Sequence, residues 1–199
     1  MGQLDVDMAA LDAVTLDAMG TLVRLDAPVE RLAAAAGIDA EAAARGFAAE
    51  AAYYMPRSLD GRDADSLAQL RAAAAGVFNA AAEADLTAEQ FMTAIVLEPE
   101  PGSLAAVRRL RARGLSLCVV SNWDYELPGR LASLGFALDV VTSAGAGAAK
   151  PQPRIFELAL GRLRVAAGRT LHVGDSADDE AGARAAGLRF APAPLEALL

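Results

Sequence analysis

The feature that most constrains the fold is an alternation of short apolar runs with stretches of helical spacing, in which the apolar runs end on or beside polar residues. The runs lie at 13–17, 115–121, 138–142 and 170–175, with a fifth short run at 188–190. Strands joined through helices run parallel in one sheet, so the pattern predicts an α/β fold with a doubly wound, Rossmann-like, mostly parallel sheet. Ligands of such sheets bind beyond the carboxyl ends of the strands.

The alternation is interrupted once, after the first run. Residues 29–97 are rich in Ala, Glu, Arg and Leu at helical spacing, which predicts three or four helices and no strand. Pro28 precedes this segment and a Glu-Pro-Glu-Pro-Gly linker follows it, after which Ser103 is expected to cap the next helix. We therefore predict a core domain formed by residues 1–26 and 100–199, with an all-helical cap domain inserted at 27–99.

Charge and composition exclude several classes of partner. The net charge of -8 and the pI near 4.7 disfavour nucleic acid and anionic membranes. No apolar run approaches the roughly 20 residues of a membrane span, and the first residues are acidic where a secretory signal is basic, so we expect a cytoplasmic protein. Cys118, the single cysteine, is expected to be a buried structural thiol. The composition does not distinguish a monomer from a homodimer.

Cation usage singles out one position. The chain has 17 arginines and one lysine, Lys150, which follows a run of Ala and Gly and precedes Pro151. A compact ammonium on a flexible stem fits a narrow anionic pocket, whereas a guanidinium is a wide planar fork. Because Asp17, Ser121 and Asp175 stand at predicted strand ends, we expect Lys150 to meet them at one edge of the sheet, in an active site.

Four short motifs in this order resemble those of the haloacid dehalogenase superfamily. The first is Asp-Ala-Met-Gly-Thr at 17–21, the second is Ser121 at the end of its apolar run, the third is Lys150-Pro151, and the fourth is Gly-Asp-Ser-Ala-Asp-Asp at 174–179. Each motif alone is weak, but four in order on strand ends are a specific signal. The resemblance covers nearly the whole chain and places a cap domain between the first two motifs.

The resemblance implies a set of residue roles. Asp17 would be a carboxylate nucleophile that forms a covalent intermediate, and Ser121 and Lys150 would complete the catalytic group. Gly20, Thr21 and Asn122 would bind the substrate, a small anion such as a phosphate ester or a 2-haloacid. Hard oxygen ligands suit Mg²⁺; the expected ligands are Asp17, the backbone carbonyl of Met19, Asp175 and Asp179, with Asp178 as the alternative second acid of the fourth motif.

Met19 departs from the phosphatase pattern of the family. Phosphatases of this kind usually carry a second aspartate at this position, where it protonates the leaving oxygen and later activates water. A thioether can do neither, and loss of a general acid typically costs 10²–10⁴-fold in rate. Phosphoryl transfer depends largely on positioning and charge neutralisation, so activity can survive on leaving groups that need no proton.

Three functions therefore compete. The first is an Mg²⁺-dependent phosphatase or phosphotransferase acting on a small metabolite, with a rate that depends steeply on leaving-group acidity. The second is a metal-free 2-haloacid dehalogenase, whose first motif in the family also reads Asp-Ala-x-Gly-Thr-Leu. The third is a catalytically impaired binding or regulatory protein. The intact acidic cluster of the fourth motif favours Mg²⁺ and phosphate, because close carboxylates without a cation repel one another.

Further residues are candidates for substrate contact. Trp123 and Asp124 follow the second motif, and Asp124 is a possible substitute acid. His172 is expected to be a packed, hydrogen-bonded histidine and not a catalytic base. Before and within the cap, the side chains able to clasp an anion or stack on a ring are Arg24, Arg45, Tyr53, Tyr54, Met55, Arg57 and Arg62.

Overall fold

The computed structural model describes residues 7–198. The acidic first six residues, on which the prediction of no secretory signal rests, lie outside the described residues. Within the described part of the chain, no helix combines the length and the apolar character that crossing a membrane requires.

A five-stranded parallel sheet forms the centre of the fold, in the order β5-β4-β1-β6-β7. The predicted α/β class with a parallel Rossmann-like sheet is confirmed. A separate antiparallel ribbon pairs β2 with β3. The strands are β1 (Ala13–Leu16), β2 (Val23–Leu25), β3 (Leu97–Pro99), β4 (Ser116–Ser121), β5 (Asp139–Thr142), β6 (Thr170–Gly174) and β7 (Arg189–Pro192).

Helices pack on the sheet and form the inserted segment. Short 3-10 helices at Met8–Ala10, Met55–Asp60, Ala167–Arg169 and Leu195–Leu198 join the longer elements. The α-helices are α1 (Pro28–Ala36), α2 (Ala40–Tyr54), α3 (Ala64–Ala82), α4 (Ala88–Ala94), α5 (Ser103–Ala112), α6 (Leu127–Ser133), α7 (Ser143–Ala146), α8 (Pro153–Leu163) and α9 (Ala177–Ala185).

The period-2 geometry of β4 explains why both faces of the sheet are covered. Leu117 and Val119 point into an apolar cluster with α5 and α6, whereas Cys118 and Val120 point into another with α8 and α9. Cys118 is fully buried, as expected, and burial raises the pKa of its thiol to about 12.

The inserted segment has an apolar cluster of its own, built around Leu32, Phe78 and Phe91 from α1, α3 and α4. Four α-helices form it, in agreement with the predicted helical insertion. We predicted no strand in residues 29–97. This prediction was wrong at the last residue, because Leu97 is the first residue of β3, which pairs with β2. β2 and β3 lie in the two connections between the core and the inserted segment, and because the two strands pair, these connections lie side by side. The boundaries 27 and 99 stay a prediction.

Ser103 does not cap α5 as predicted. Gly102 occupies the N-cap position with φ +79°, and Ser103 is the first helical residue. Its hydroxyl donates instead to the carbonyls of Leu22 and Glu100, at 3.0 and 2.8 Å. The serine thus ties the chain entering the insertion to the chain leaving it, a long-range contact that a local capping pattern does not reveal.

Candidate active site

A cavity of about 440 Å³ lies between the carboxyl ends of the parallel strands and the inserted helices. Its floor includes Asp17 after β1, Ser121 at the end of β4 and Asp175 after β6. Because these strands are neighbours in the sheet, their ends meet at one edge. The predicted convergence of residues 17, 121, 150 and 175 is therefore present in the structure.

Lys150 joins two of the acids. Its ammonium lies 2.7 Å from Asp17 Oδ1 and 2.5 Å from Asp179 Oδ1, and its side chain is almost fully buried. Burial lowers the pKa of Lys150, but the charges of Asp17 and Asp179 outweigh burial and raise it. Lys150 is therefore a permanent cation beside Asp17, which is what the narrow-pocket argument for a lysine predicts.

Asp179 is fully buried and its two carboxylate oxygens are both engaged. Lys150 and His172 Nε2 contact Oδ1, and the Ser176 hydroxyl donates to Oδ2 at 2.5 Å. Burial opposes ionisation, but the His172 hydrogen bond and the Lys150 charge outweigh it and hold the pKa of Asp179 below its usual range. A Cβ on Gly174 would overlap this carboxylate, so a glycine is required there. Asp179 thus fixes the position of Lys150.

His172 is fully buried in β6 and packs edge-on against Phe156. Burial lowers its pKa, so the ring is neutral near pH 7. A neutral ring that donates from Nε2 to Asp179 accepts at Nδ1 from the Thr15 hydroxyl at 2.9 Å. This is the packed, hydrogen-bonded histidine expected from the sequence.

Asp175 lies at the mouth of the cluster, with its carboxylate against the backbone of Gly20. A Cβ on Gly20 would overlap that carboxylate, and Gly20 has φ +71° in the turn after β1. Burial, followed by the charges of Asp17 and Asp179, raises the pKa of Asp175. The first and fourth motifs therefore pack directly against each other.

The acidic cluster has the donor chemistry of a divalent cation site. One carboxylate oxygen each from Asp17, Asp175 and Asp179 lie within 4.8 Å of one another. These three carboxylates face one ammonium, so two negative charges lack compensation within the cluster. Mg²⁺ prefers such oxygen ligands and keeps several waters, so it fits this set. Asp179 is the least available ligand because Lys150, His172 and Ser176 already occupy its oxygens.

The remaining predicted site residues divide into two groups. Ser121 and Asn122 line the cavity. The Asn122 amide, however, bonds the backbone of Lys150 in both directions, at 2.7 and 3.1 Å, so it positions Lys150. Thr21 is buried and its hydroxyl has no hydrogen-bond partner among the described residues. The predicted contacts of these residues and Gly20 with substrate stay predictions.

Met19 lines the cavity beside Asp17 and contributes no acid. The cavity wall next to Met19 is largely apolar. Its apolar residues come from the linkers and the inserted helices and include Leu25, Phe47, Ala51, Met55, Ala74, Phe91, Met92, Ile95 and Leu97. The site therefore combines a charged floor with a largely apolar wall.

Asp124 is not placed to act as the substitute acid. The Tyr54 hydroxyl donates to its Oδ2 at 2.5 Å, the Glu126 backbone donates to its Oδ1 at 2.9 Å, and Arg71 lies 3.7 Å away. Both carboxylate oxygens are thus already engaged by groups of the protein. The contacts instead tie α2 and α3 of the insertion to the loop after β4.

Of the seven candidates named for substrate contact, Tyr54 and Met55 line the cavity. Arg24 pairs with Glu98 at the surface, Arg45 with Glu41, and Arg57 lies over the Tyr53 ring at 4.2 Å. Sequence reasoning missed Glu50, Arg71 and Arg130, which line the cavity with the floor residues. An acid inside the apolar pattern of α2 is the signal that could have identified Glu50.

The fold and this site define an enzyme class in which a parallel α/β sheet presents charged groups at its carboxyl edge to a cavity closed by inserted helices. A family model for haloacid dehalogenase-like hydrolases matches residues 11–187, and the chain belongs to that family. The resemblance drawn from the four motifs is thus confirmed.

Several similar proteins match part of the chain. A haloacid dehalogenase-like hydrolase domain-containing protein 3 from Bos taurus is 42% identical over 103 residues, which are 48% of this chain and 41% of that protein. A phosphoglycolate phosphatase from Rhodospirillum rubrum is 42% identical over 93 residues, or 44% of this chain and 38% of the phosphatase. The matched stretch is thus about two fifths of each relative's length.

Solved structures match over most of the chain. The crystal structure of a dehalogenase aligns with a TM-score of 0.71 at 28% identity and covers 93% of this chain and 84% of its own. The sequence and structure comparisons thus point to both phosphatases and dehalogenases within one family.

Proposed function

We propose that this protein is an Mg²⁺-dependent phosphatase or phosphotransferase that acts in the cytoplasm on a small phosphorylated metabolite. The observation that carries the proposal is the charge imbalance of the cluster, in which Asp17, Asp175 and Asp179 face the single ammonium of Lys150. Bringing carboxylates this close without a cation is unfavourable, and the raised pKa of Asp175 reflects that repulsion in part.

Asp17 is the proposed nucleophile. Its carboxylate lies at the cavity floor, and Lys150 fixes one oxygen through the 2.7 Å ion pair. The other oxygen would attack phosphorus, giving an aspartyl-phosphate as the bond from phosphorus to the leaving oxygen breaks and its electron pair goes to that oxygen. Lys150, held by Asp179 and by the amide of Asn122, would stabilise the negative charge on the transferring group. Ser121 and Thr21 would donate hydroxyl hydrogen bonds to phosphoryl oxygens.

The proposed metal ligands are Asp17, Asp175, the Met19 carbonyl and, through its remaining electron pairs or a water, Asp179. Bound Mg²⁺ would supply charge neutralisation for the phosphoryl oxygens. Asp175 is the residue best placed to hold it, because its carboxylate is the more open one beside Asp17. The similarity to a phosphoglycolate phosphatase from Rhodospirillum rubrum supports a phosphate ester as the substrate.

Hydrolysis of p-nitrophenyl phosphate tests the proposal. We expect turnover with Mg²⁺, loss of turnover in EDTA, and a decrease of at least about 10³-fold in Asp17→Asn, because a nucleophile removed from a covalent pathway cannot be replaced. Trapping a phosphoryl group on Asp17, seen as a mass increase on its peptide, would identify the intermediate. Activity that ignores both EDTA and Asp17→Asn would contradict the proposal.

A second candidate is a 2-haloacid dehalogenase, favoured by Met19 and by the apolar cavity wall. A departing halide needs no general acid, and a small haloacid fits an apolar pocket with one cation at its floor. The 28% identity to a dehalogenase over most of the chain supports it. Chloride release from 2-chloropropionate that persists in EDTA, with no phosphatase activity, would establish this function. Absence of both activities would favour an impaired binding protein.

A further inference from the structure

Glu50 is a buried acid that the roles assigned so far leave unused. It lies on α2, its residue exposure is 8%, and it lines the same cavity as Asp17 and Lys150. Among the described residues no hydrogen bond or ion pair engages its carboxyl. A carboxyl group in this state costs free energy to bury, which calls for a functional explanation.

The surroundings of Glu50 on the cavity wall are mostly apolar, with Phe47 and Ala51 on its own helix and Ala74 and Met92 from α3 and α4. Burial alone raises the pKa of Glu50 to about 7. A group with such a pKa holds a proton about half of the time near neutral pH and can both donate it and take it back.

The other ionisable groups at the cavity are differently engaged. On the wall, the Tyr54 hydroxyl donates to Asp124, which Arg71 also approaches, and Arg130 approaches Glu126. On the floor, Lys150 holds Asp17, Asp175 lies in the acidic cluster, and Asp178 is in the first turn of α9. Among the described residues, Glu50 is therefore the buried cavity acid that stands apart from both the ion-pair network and the proposed metal ligands, whereas Asp178 is exposed.

The direction of phosphoryl transfer places the leaving group toward this wall. The attacking and leaving oxygens lie roughly in line with phosphorus, so a substrate attacked by Asp17 from the floor directs its leaving oxygen away from the floor. The cavity of about 440 Å³ accommodates one small substrate. Its organic part then occupies the space between the floor and the inserted helices, where Glu50 lies.

We propose that Glu50 is the general acid and base that replaces the acid missing at Met19, an inference that rests on the proposed phosphatase function. As Asp17 bonds to phosphorus, the bond from phosphorus to the leaving oxygen breaks and its electron pair goes to that oxygen, which takes the proton from the Glu50 carboxyl. The resulting Glu50 carboxylate then takes a proton from a water whose oxygen bonds to phosphorus as the bond from phosphorus to the Asp17 oxygen breaks. Phosphate is released, and Asp17 and Glu50 return to their starting states.

If Glu50 is the general acid, the wild-type enzyme should hydrolyse phosphate esters with poor leaving groups. Without such an acid, the presence of Met19 would make the rate depend steeply on leaving-group acidity. The test compares ethyl phosphate with p-nitrophenyl phosphate, both with Mg²⁺. In Glu50→Gln we expect kcat/KM for ethyl phosphate, which reports the steps up to departure of the leaving group, to decrease by about 10²-fold or more. The value of kcat/KM for p-nitrophenyl phosphate should change by less than about threefold, because its leaving group departs without a proton. For both substrates kcat should decrease, because attack of water on the shared aspartyl-phosphate loses its base.

The pH profile gives a second readout that a structural role would not alter. Wild-type kcat/KM for ethyl phosphate should decrease as the pH rises above about 7, and this limb should be absent in Glu50→Gln. Glu41→Gln on the same helix is the matched control, since the Glu41 side chain is 89% exposed. It should behave as wild type with both substrates.

Other results would overturn the role. Equal losses of kcat/KM on both substrates in a folded Glu50→Gln protein, no loss of kcat/KM on either, or a wild-type enzyme that hydrolyses only p-nitrophenyl phosphate would each reject Glu50 as the acid while leaving the phosphatase function intact. A wild-type protein that hydrolyses neither substrate with Mg²⁺ would reject the phosphatase function and this role together. Thermal melting of each variant establishes that it is folded.

Discussion

At the residue scale, the site depends on buried carboxylates whose surroundings differ. Asp179 accepts from a lysine, a histidine and a serine, so it is stabilised as an anion. Glu50 has no partner among the described residues, and burial favours its neutral form. The same chemical group is thus a fixed charge at one position and a proton carrier at the other, because only its neighbours differ.

Glu50→Gln should make stability less dependent on pH. The folded pKa of about 7 lies above the ordinary value of 4.5, so the native state binds the extra proton and wild-type stability decreases as the pH rises from about 4.5 to 7. Above pH 7 we expect Glu50→Gln to be more stable than wild type by up to about 3 kcal/mol, and near pH 4 we expect equal stability. Urea unfolding at pH 4 and pH 8 measures this difference.

Glu41→Gln serves again as the control, because an exposed substitution usually changes stability by less than about 0.5 kcal/mol. A Glu50→Gln protein that is less stable than wild type at pH 8 would show that the carboxylate has a stabilising partner in the native state.

At the element scale, the turn between β1 and β2 brings the first and fourth motifs together. Gly20 has φ +71°, and a Cβ there would overlap the Asp175 carboxylate. Gly37, which ends α1 with φ +67°, has no atom within 4 Å of where a Cβ would lie. Substituting alanine at each position therefore distinguishes the stability lost through an unfavourable backbone conformation, at Gly37, from the additional loss through steric overlap, at Gly20.

Gly37→Ala should therefore cost about 1 kcal/mol of stability through conformation alone and leave activity unchanged. Gly20→Ala should cost more and also displace Asp175, which would lower phosphatase activity and raise the Mg²⁺ concentration needed for half-maximal rate. Chemical unfolding and Mg²⁺ titration of the rate measure the two effects. Similar losses in the two variants would show that Gly20 matters only for its backbone conformation.

At the scale of the whole molecule, the proposed metal site links segments far apart in sequence, so Mg²⁺ should stabilise the native state as a whole if it binds there. A ligand that binds only the folded protein stabilises it by about 2.7 kcal/mol at 100 times its Kd. We expect Mg²⁺ to raise the Tm of wild type, and EDTA to reverse the shift.

Asp175→Asn should abolish this Tm shift, because it removes the open carboxylate of the cluster. Asp178→Asn should retain it, since the Asp178 carboxylate lies outside the group of three oxygens. Loss of the shift in Asp178→Asn as well as in Asp175→Asn would make Asp178 the second acid of the metal site, and no shift in wild type would contradict the Mg²⁺ site.

Much of this arrangement is predictable, because the order of strands and helices along the chain and the polar residues at the strand ends can be recognised from short stretches of sequence. Asp17, Ser121 and Asp175 each follow a buried run, and parallel strands bring such ends to one edge. The pairing of β2 with β3 and the hydrogen bond from the Ser103 hydroxyl to Leu22 escaped prediction, since both join residues more than 70 positions apart. Local patterns report propensity and periodicity, and they do not report which distant segment supplies a partner.

The sequence by itself determined the parallel α/β sheet, the helical insertion and the acids and lysine of the active site, because alternation and residue type act over short stretches. Tertiary structure alone decided that Asp179 holds Lys150, that Asp124 ties the insertion to the core, and that Glu50 is buried without a partner in the cavity wall. The physical reason is that ionisation depends on solvent exclusion and neighbouring charges, which exist only once distant segments have packed together.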